Sequence, residues 1–537
     1  MLSTRTLLLC ATVVSSPYLA VMLAGYYVPG HDEAFQLEGA VRLAAGHGYT
    51  ASRLVVRDLA TPAFAFLVGW PVGYASLVAG LLTIGVPLAL AVKLIKLAIV
   101  IVALAAWTRF AAPFLRSPVT GAAFCGFLGF FVAARAGWVT DLFILALFPI
   151  LSRWVLAASS STSGGAAGAP EALRLMAAGT LAGLLVVVKY SALPLVAIGS
   201  AWIGWHARRY PGAPARQLAL FGLPAALIAG VVFLVNYLHA EAISASTEGG
   251  IAVRMLGWRE WIVDAGTAAL FDAPYLPMLA VREVSAALGM EPGRAVVAAA
   301  SMAVMSAAVA AVVVLCRRGG HERRLASWVT AAFVANLLYL ALTTALYFRA
   351  GEWTPLMEGR YFIWLVPGIV LCVLAGASGC LRQRDPCPLP ARIVAVAMFA
   401  GWFGAAAGYA AYIHRIANEF RADTRAVQQA LASMTASVGD PPVAAFLDSE
   451  HFRTFHRSGQ TNVFAGPPTW LDEASFSRHA LVVMICTRAA RLRSEGGRSY
   501  CADDGFDRIA ARHGFATIEV GARDTLYWRL FAAGAAE

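Results

Sequence analysis

Val28-Pro29-Gly30-His31-Asp32-Glu33-Ala34-Phe35-Gln36-Leu37-Glu38-Gly39-Ala40-Val41-Arg42-Leu43-Ala44-Ala45-Gly46-His47-Gly48-Tyr49 directly follows a first apolar span, Leu7 to Tyr27. Two adjacent carboxylates, Asp32 and Glu33, therefore stand at the mouth of a membrane helix. Carboxylates at such a place are costly to desolvate and mark a functional site. Asp32 also reads as the N-cap of a juxtamembrane helix from Glu33 to Ala45, closed by Gly46 and Gly48. The two readings are compatible. Glu33 would face a different side of that helix, where its charge favours the N-terminus.

The rest of the chain fits a protein that lives in lipid. Of 537 residues, 59% are hydrophobic and only 14% charged, and the mean hydropathy is +0.67. A soluble chain of this size could not hide that much apolar surface, so the sequence reads as a polytopic membrane protein. The first span shows no small-residue cleavage site and reads as a retained helix. The net charge of +11 lies mostly in short loops and follows the positive-inside rule, which removes the need for a nucleic-acid partner. No phosphate-binding loop, dinucleotide fingerprint or internal repeat is present.

Apolar segments of spanning length recur at 7–27, 119–137, 141–157, 173–188, 190–206, 217–238, 295–315, 326–346, 361–380 and 392–413. The stretch 62–107 holds two further apolar pieces, broken near Gly85-Val86-Pro87. The basic loops 206–216, 317–324 and 382–392 are placed inside, as are Arg5 and Arg109 to Arg116. That puts Asp32, Asp141, Lys189, the loop 236–292 and everything after 413 outside. These demands agree when 62–107 crosses an odd number of times, giving eleven spans with one re-entrant or interfacial piece, or thirteen. The Ser- and Gly-rich run 159–170 reads as a cytoplasmic loop.

Past 413 the long apolar runs stop. Short β-like runs at 442–447, 481–486, 516–520 and 525–531, with helix-like stretches between them such as Phe506 to His513, predict a small extracytoplasmic α/β domain over 414–537. Residues 1–413 form the membrane domain, with an outer juxtamembrane loop at 28–61. Of eight cysteines, only Cys486 and Cys501 lie in the outer domain, where a disulfide between them is compatible with the compartment. No cysteine spacing suits a metal, and neither does the loose set Asn236, His239 and Glu241; no metal and no cofactor are predicted, a divalent metal being compatible with the chain but without support in its sequence.

Four further features carry candidate chemistry. Asp141, in Arg135-Ala-Gly-Trp-Val-Thr-Asp141, starts a span on the same membrane face as Asp32, where it reads as a second catalytic carboxylate or as a helix cap. Lys189 lies where two spans meet outside, and Arg360 stands at the outer start of another. Cations at that depth suit a lipid-linked phosphate, or anchor helix ends by snorkelling. Lys93 and Lys96, the other two lysines of the chain, read first as snorkelling side chains and only secondarily as supports for the site. The outer loop 236–292, with Arg254, Trp258, Arg259, Glu260 and Trp261, reads as an interfacial amphipathic segment.

In order and spacing these motifs resemble the C-type glycosyltransferases of the membrane. The chain is similar to bacterial relatives of the protein O-mannosyltransferases and of the aminoarabinose transferase acting on lipid A. The matching features are Asp32-Glu33-Ala34, the turn Gly46-His47-Gly48-Tyr49, and a degenerate Pro motif at Thr61-Pro62 and Trp70-Pro71-Val72-Gly73-Tyr74. Asp141, Lys189-Tyr190-Ser191-Ala192-Leu193-Pro194, Glu358-Gly359-Arg360-Tyr361 and the outer C-terminal domain complete the pattern. The resemblance is strongest over 28–75.

The resemblance implies an inverting transfer of a sugar from a polyprenyl-phosphate donor to an acceptor hydroxyl, at the outer face of a bacterial inner membrane. Asp32 would act as general base with Asp141 beside it in the catalytic set. Lys189 and Arg360 would hold the departing phosphate, with Glu33, Lys93 and Lys96 as supporting residues. The partners would be the lipid-linked sugar, a glycolipid, polysaccharide or protein acceptor, and the bilayer. The competing classes are a lipid or organic-anion transporter, which would carry inverted repeats, and a non-catalytic protein of the same fold.

Overall fold

The computed structural model describes residues 3–24, 31–53, 63–158, 169–208, 213–242, 294–346, 359–378 and 389–438, together with five C-terminal strands. The chain divides into two compact units. One consists of Met1–Ala24, Val68–Tyr74 and Val92–Ile413; the other of Gly25–Leu67, Ala75–Ala91 and His414–Glu537.

Every apolar run of spanning length has become a helix. They are α1 (Thr4–Ala24), α4 (Leu88–Ala111), α5 (Pro118–Arg135), α6 (Val139–Ala158), α7 (Ala169–Val188), α8 (Leu193–Ala207), α9 (Ala213–Ala240), α10 (Arg294–Arg318), α11 (Gly320–Leu346), α12 (Val366–Ser378) and α13 (Leu389–Val438). Among the described residues, eight helices are long and apolar enough to cross a membrane. The ambiguous stretch breaks as its sequence suggests. Helix α3 (Gly73–Thr83) ends at Gly85, whose φ of +86° only glycine adopts readily, and α4 begins after Pro87. At 11 residues, α3 is about 16 Å long and too short to cross the roughly 30 Å hydrocarbon layer.

The first unit is built by close helix contacts. Helix α5 starts with a capping box, in which Ser117 accepts from the Thr120 backbone N–H and Thr120 reciprocates, with Pro118 at the first helical position. Its span is 83% buried, and it packs on α1 and α13 through Gly129 against Ala11 and Gly126 against Trp402. Helix α7 packs on α9 through Gly179 and Gly183, which meet the backbone of Phe221 and Ala225. Small residues four apart allow this approach, and in lipid van der Waals packing replaces the hydrophobic drive. Two of the buried tryptophans are tied to their neighbours: Trp107 Nε1 donates to Leu145 O at 2.8 Å and Trp328 Nε1 to Ser152 Oγ at 2.8 Å.

Of the two lysines of α4, only Lys96 differs from the snorkelling expectation. Lys93 donates to the Leu23 carbonyl at 3.0 Å, at the end of α1. Lys96 is 1% exposed, so it is no snorkelling anchor. One turn further along α4 from Lys93, it lies on the buried face with Val92, Ile99 and Val100.

In the second unit, α2 (His31–Ala44) starts one residue before Asp32 and is followed by the hairpin of β1 (Thr50–Arg53) and β2 (Ala63–Phe66). Gly46 and Gly48 take φ of +81° and +73°, which turns the chain back after α2. The turn sets Tyr49 against Gly39, where an added Cβ would stand 2.6 Å from the ring. Arg42 Nε donates to Thr50 Oγ1 at 2.7 Å, and its guanidinium lies 3.4 Å from the Phe64 ring centroid. The Gly-x-Gly-Tyr motif therefore locks hairpin to helix.

Helix α13 continues without a break from 389 to 438, through the point where the apolar pattern ends. After it come β3 (Val443–Phe446), β4 (Val463–Gly466), β5 (Leu481–Thr487), β6 (Phe515–Arg523) and β7 (Leu526–Ala533), in one sheet of order β4-β3-β5-β7-β6. The pairs β3–β4 and β3–β5 are parallel; β5–β7 and β6–β7 are antiparallel. Strands β3, β5, β6 and β7 coincide with the predicted runs, and β4 is additional. Phe506 to His513, Cys501, the linker 159–168 and the loop 243–293 with its Trp and Arg residues lie outside the described residues.

Candidate functional site

Helices α6 and α7 are neighbours of opposite direction, so the start of α6 and the end of α7 share one end of the first unit. Asp141 lies in the first turn of α6, inside the helix rather than at its cap, and is 3% exposed. At the end of α7 the helix stops: Lys189 takes an extended conformation, with φ −156° and ψ 127°, before the 3-10 turn Tyr190–Ala192. Pro194 at the start of α8 disfavours a continuous helix through this point. The break leaves Lys189 facing α6, where its Nζ lies 2.5 Å from Asp141 Oδ2.

The pair is nearly dry. The Asp141 side chain is 4% exposed and that of Lys189 14%. A charge in such a place is tolerated because it is paired. The pairing is one-sided, however: Asp141 Oδ1 is buried without a hydrogen-bond partner. The ammonium also lies 5.2 Å from the Tyr361 ring centroid, which adds a cation–π contact.

Around the pair runs a polar network. Tyr190 Oη accepts from Asn236 Nδ2 at 2.6 Å and donates to the Val68 carbonyl at 3.2 Å, while its ring stacks on Phe233. Tyr339 Oη donates to Tyr190 O at 3.4 Å, and Asn336 Nδ2 to Tyr361 O at 3.2 Å. Besides Asp141 Oδ1, Ser191 Oγ and Asn336 Oδ1 are buried without partners. Unsatisfied acceptors gathered at one end of a bundle are where a polar ligand would recover the cost of their desolvation.

The predicted residues fall as follows. Asp141 and Lys189 are brought into contact. Arg360 lies in the 3-10 turn Gly359–Leu365, one residue before Tyr361, and its side chain is outside the described residues. Asp32 lies in the first turn of α2, its side chain likewise outside them. Glu33 is 3% exposed. Sequence reasoning missed Tyr190, Asn336, Tyr339 and Tyr361, and weighed Asn236 only as a metal ligand. It also passed over Arg135, in the last turn of α5, 2% exposed and 4.9 Å from the Trp138 ring centroid. Tyr190 and Tyr361 sit beside the predicted cations in the quoted motifs, and that adjacency was the available signal. Among the described residues, no three His, Cys, Asp or Glu side chains gather where they could hold a metal ion.

No protein-family model matches the chain, and no curated protein matches it in sequence. Solved structures do match. ArnT from Cupriavidus metallidurans in the apo state is 12% identical, with 97% of each chain covered and a TM-score of 0.50. The structure of that protein bound to undecaprenyl phosphate is 12% identical, with 98% of each chain covered and a TM-score of 0.48. The archaeal oligosaccharyltransferase AglB from Archaeoglobus fulgidus, in complex with an inhibitory peptide and a dolichol-phosphate, is 10% identical; 96% of this chain and 72% of that one are covered, at a TM-score of 0.47. The likeness to ArnT is one of fold. Over nearly its whole length the chain shares the fold of that protein, and its long apolar helices make it a multi-pass membrane protein.

Proposed function

We propose that this chain is an inverting glycosyltransferase that moves a sugar from a polyprenyl phosphate to an acceptor hydroxyl, at the outer face of a bacterial inner membrane. The observation that carries this reading is the buried Asp141–Lys189 pair with its free carboxylate oxygen, set in a network of tyrosine and asparagine side chains at one end of the helices. A pathway for lipid-linked polar groups needs cations and acceptors at that depth. The fold shared with ArnT, a protein also seen with undecaprenyl phosphate bound, supports the same class of donor.

In the proposed reaction the acceptor oxygen attacks the anomeric carbon. The new C–O bond forms as the bond from that carbon to the phosphate oxygen breaks, and its electron pair leaves with the lipid phosphate. Asp32 takes the acceptor proton. Lys189 and Arg360 stabilise the phosphate charge that develops, the contribution that usually dominates such transfers. Asp141 holds Lys189 in place, and its free oxygen accepts a hydroxyl of the donor or acceptor sugar. Glu33, Lys93 and Lys96 support the surrounding structure.

The test is transfer of radiolabelled sugar from polyprenyl-phosphate sugars to membrane extracts, comparing wild type with Asp32→Asn at matched expression. Transfer by the wild type that collapses in the variant supports the enzyme and its base. Equal transfer by both removes Asp32 from the chemistry. Outward movement of the lipid-linked sugar without transfer would favour a transporter.

A further inference from the structure

At the opposite ends of α4, α6 and α7 lies a groove of about 570 Å³ that the proposed reaction does not use. Arg153 is twelve residues beyond Asp141 on α6 and Arg174 fifteen before Lys189 on α7, which puts them about 18 Å and 22 Å along those helices from the ion pair. Arg109, in the last turn of α4, joins them. These three guanidinium groups line one groove together with Trp154, and none of the residues lining it is acidic. Its remaining wall is apolar, formed by Val102, Ala105, Pro149 and Ile150 among others.

The three arginines differ from their basic neighbours on the same face. Arg116 and Arg318 share Glu322, at 2.6 and 3.6 Å, and Arg318 also donates to the Ala375 and Gly376 carbonyls. Among the described residues, Arg109, Arg153 and Arg174 form no ion pair and no hydrogen bond. Glu171, one turn before Arg174, makes no ion pair with it. Three unpaired guanidinium groups at the mouth of an apolar trench form an amphipathic receptor. Guanidinium binds phosphate oxygens in a two-pronged fork, and an apolar trench between helices accepts an acyl chain.

We propose that this groove binds an anionic glycerophospholipid of the cytoplasmic leaflet, its phosphate held by Arg109, Arg153 and Arg174 and an acyl chain lying along α4 and α6. The loop charges assign these helix ends to the cytoplasmic side, where anionic headgroups concentrate. The site is independent of the proposed reaction.

The test uses the full chain, purified and delipidated in mild detergent, and titrated with phosphatidylglycerol or phosphatidylcholine under native mass spectrometry. Phosphatidylglycerol is expected to bind the wild type at least about tenfold more tightly than the variant R109Q/R153Q/R174Q, with phosphatidylcholine indifferent to the change. Excess inorganic phosphate should displace little of the lipid, because phosphate lacks the acyl contact. Equal affinity of phosphatidylglycerol for wild type and variant overturns the proposal and leaves the arginines as helix anchors. Complete displacement by phosphate overturns it in favour of a free anion. Should the triple variant not remain monodisperse, R153Q and R174Q singly decide: each is expected to weaken phosphatidylglycerol about threefold or more, and no change in either overturns the proposal.

Discussion

Lys189 reaches across from the end of α7 to Asp141 in the first turn of α6, and the 2.5 Å contact joins two nearly dry charges forty-eight residues apart in sequence. Each is tolerable only because of the other, since a lone ion in such a place costs several kcal/mol. The arrangement is also unfinished, because one carboxylate oxygen has no partner. In the proposed reaction a phosphate arriving beside Lys189 would share that ammonium with Asp141, which would couple donor binding to the carboxylate.

Breaking one side of the pair should therefore cost more than removing both. Lys189→Met leaves the Asp141 charge buried and is expected to destabilise the protein by about 3 kcal/mol. The double variant Asp141→Leu/Lys189→Met should recover most of that loss. Thermal unfolding of the three proteins in one detergent checks this; a double variant no more stable than the single would show that the pair is not the reason both charges are tolerated.

Asp32→Asn should lower sugar transfer by roughly 10²–10⁴-fold, the range for loss of a general base. Binding of polyprenyl phosphate should be nearly unchanged, since a base acts on the acceptor. Lys189→Gln should weaken that binding. Measured side by side, the two variants separate proton removal from phosphate recognition. Weakened lipid binding in Asp32→Asn with transfer intact at saturating donor would reverse the assignment.

What was legible in the sequence follows from what lipid demands. A membrane span must be a long apolar run, so each helix of the bundle could be read directly, including the break at Gly85-Val86-Pro87, where the backbone itself needs glycine and proline. The Gly-x-Gly-Tyr turn after Asp32 was legible for the same reason, as positive φ leaves a mark in residue type. The contact between Lys189 and Asp141 was not, because the sequence places both on one face without fixing which helices adjoin. Lys96 was misread because hydropathy gives a lysine's depth along a helix and not which side of the helix it occupies. Asn336 and Tyr339 lie inside an apolar run and became recognisable only once α11 was seen beside Tyr190 and Tyr361. Strand β4, Val463–Gly466, has only three apolar residues between Asn462 and Gly466, too few to form a run.

The α7–α9 contact makes a prediction independent of function. A Cβ on Gly179 would collide with the Phe221 backbone carbonyl, which cannot move aside as a side chain could. Gly179→Val is expected to destabilise by about 1–3 kcal/mol through forced separation of the helices. Gly230 on α9 has nothing near its would-be Cβ, so Gly230→Ala should be neutral or slightly stabilising. Thermal unfolding of both variants checks the contrast; equal effects would mean that α7 and α9 do not pack through these glycines.

Tyr190 ties the turn between α7 and α8 to two other parts of the first unit. Its hydroxyl accepts from Asn236 and donates to the Val68 carbonyl, and its ring stacks on Phe233. Tyr190→Phe keeps the ring and removes both bonds, a cost of about 1–2 kcal/mol. Asn236→Ala removes the same amide–hydroxyl bond from the other side. The double variant is therefore expected to cost less than the sum of the two single ones, because they share one interaction. Thermal unfolding of the three variants in one detergent checks this; strictly additive losses would mean that the Tyr190 hydroxyl and the Asn236 amide do not act together.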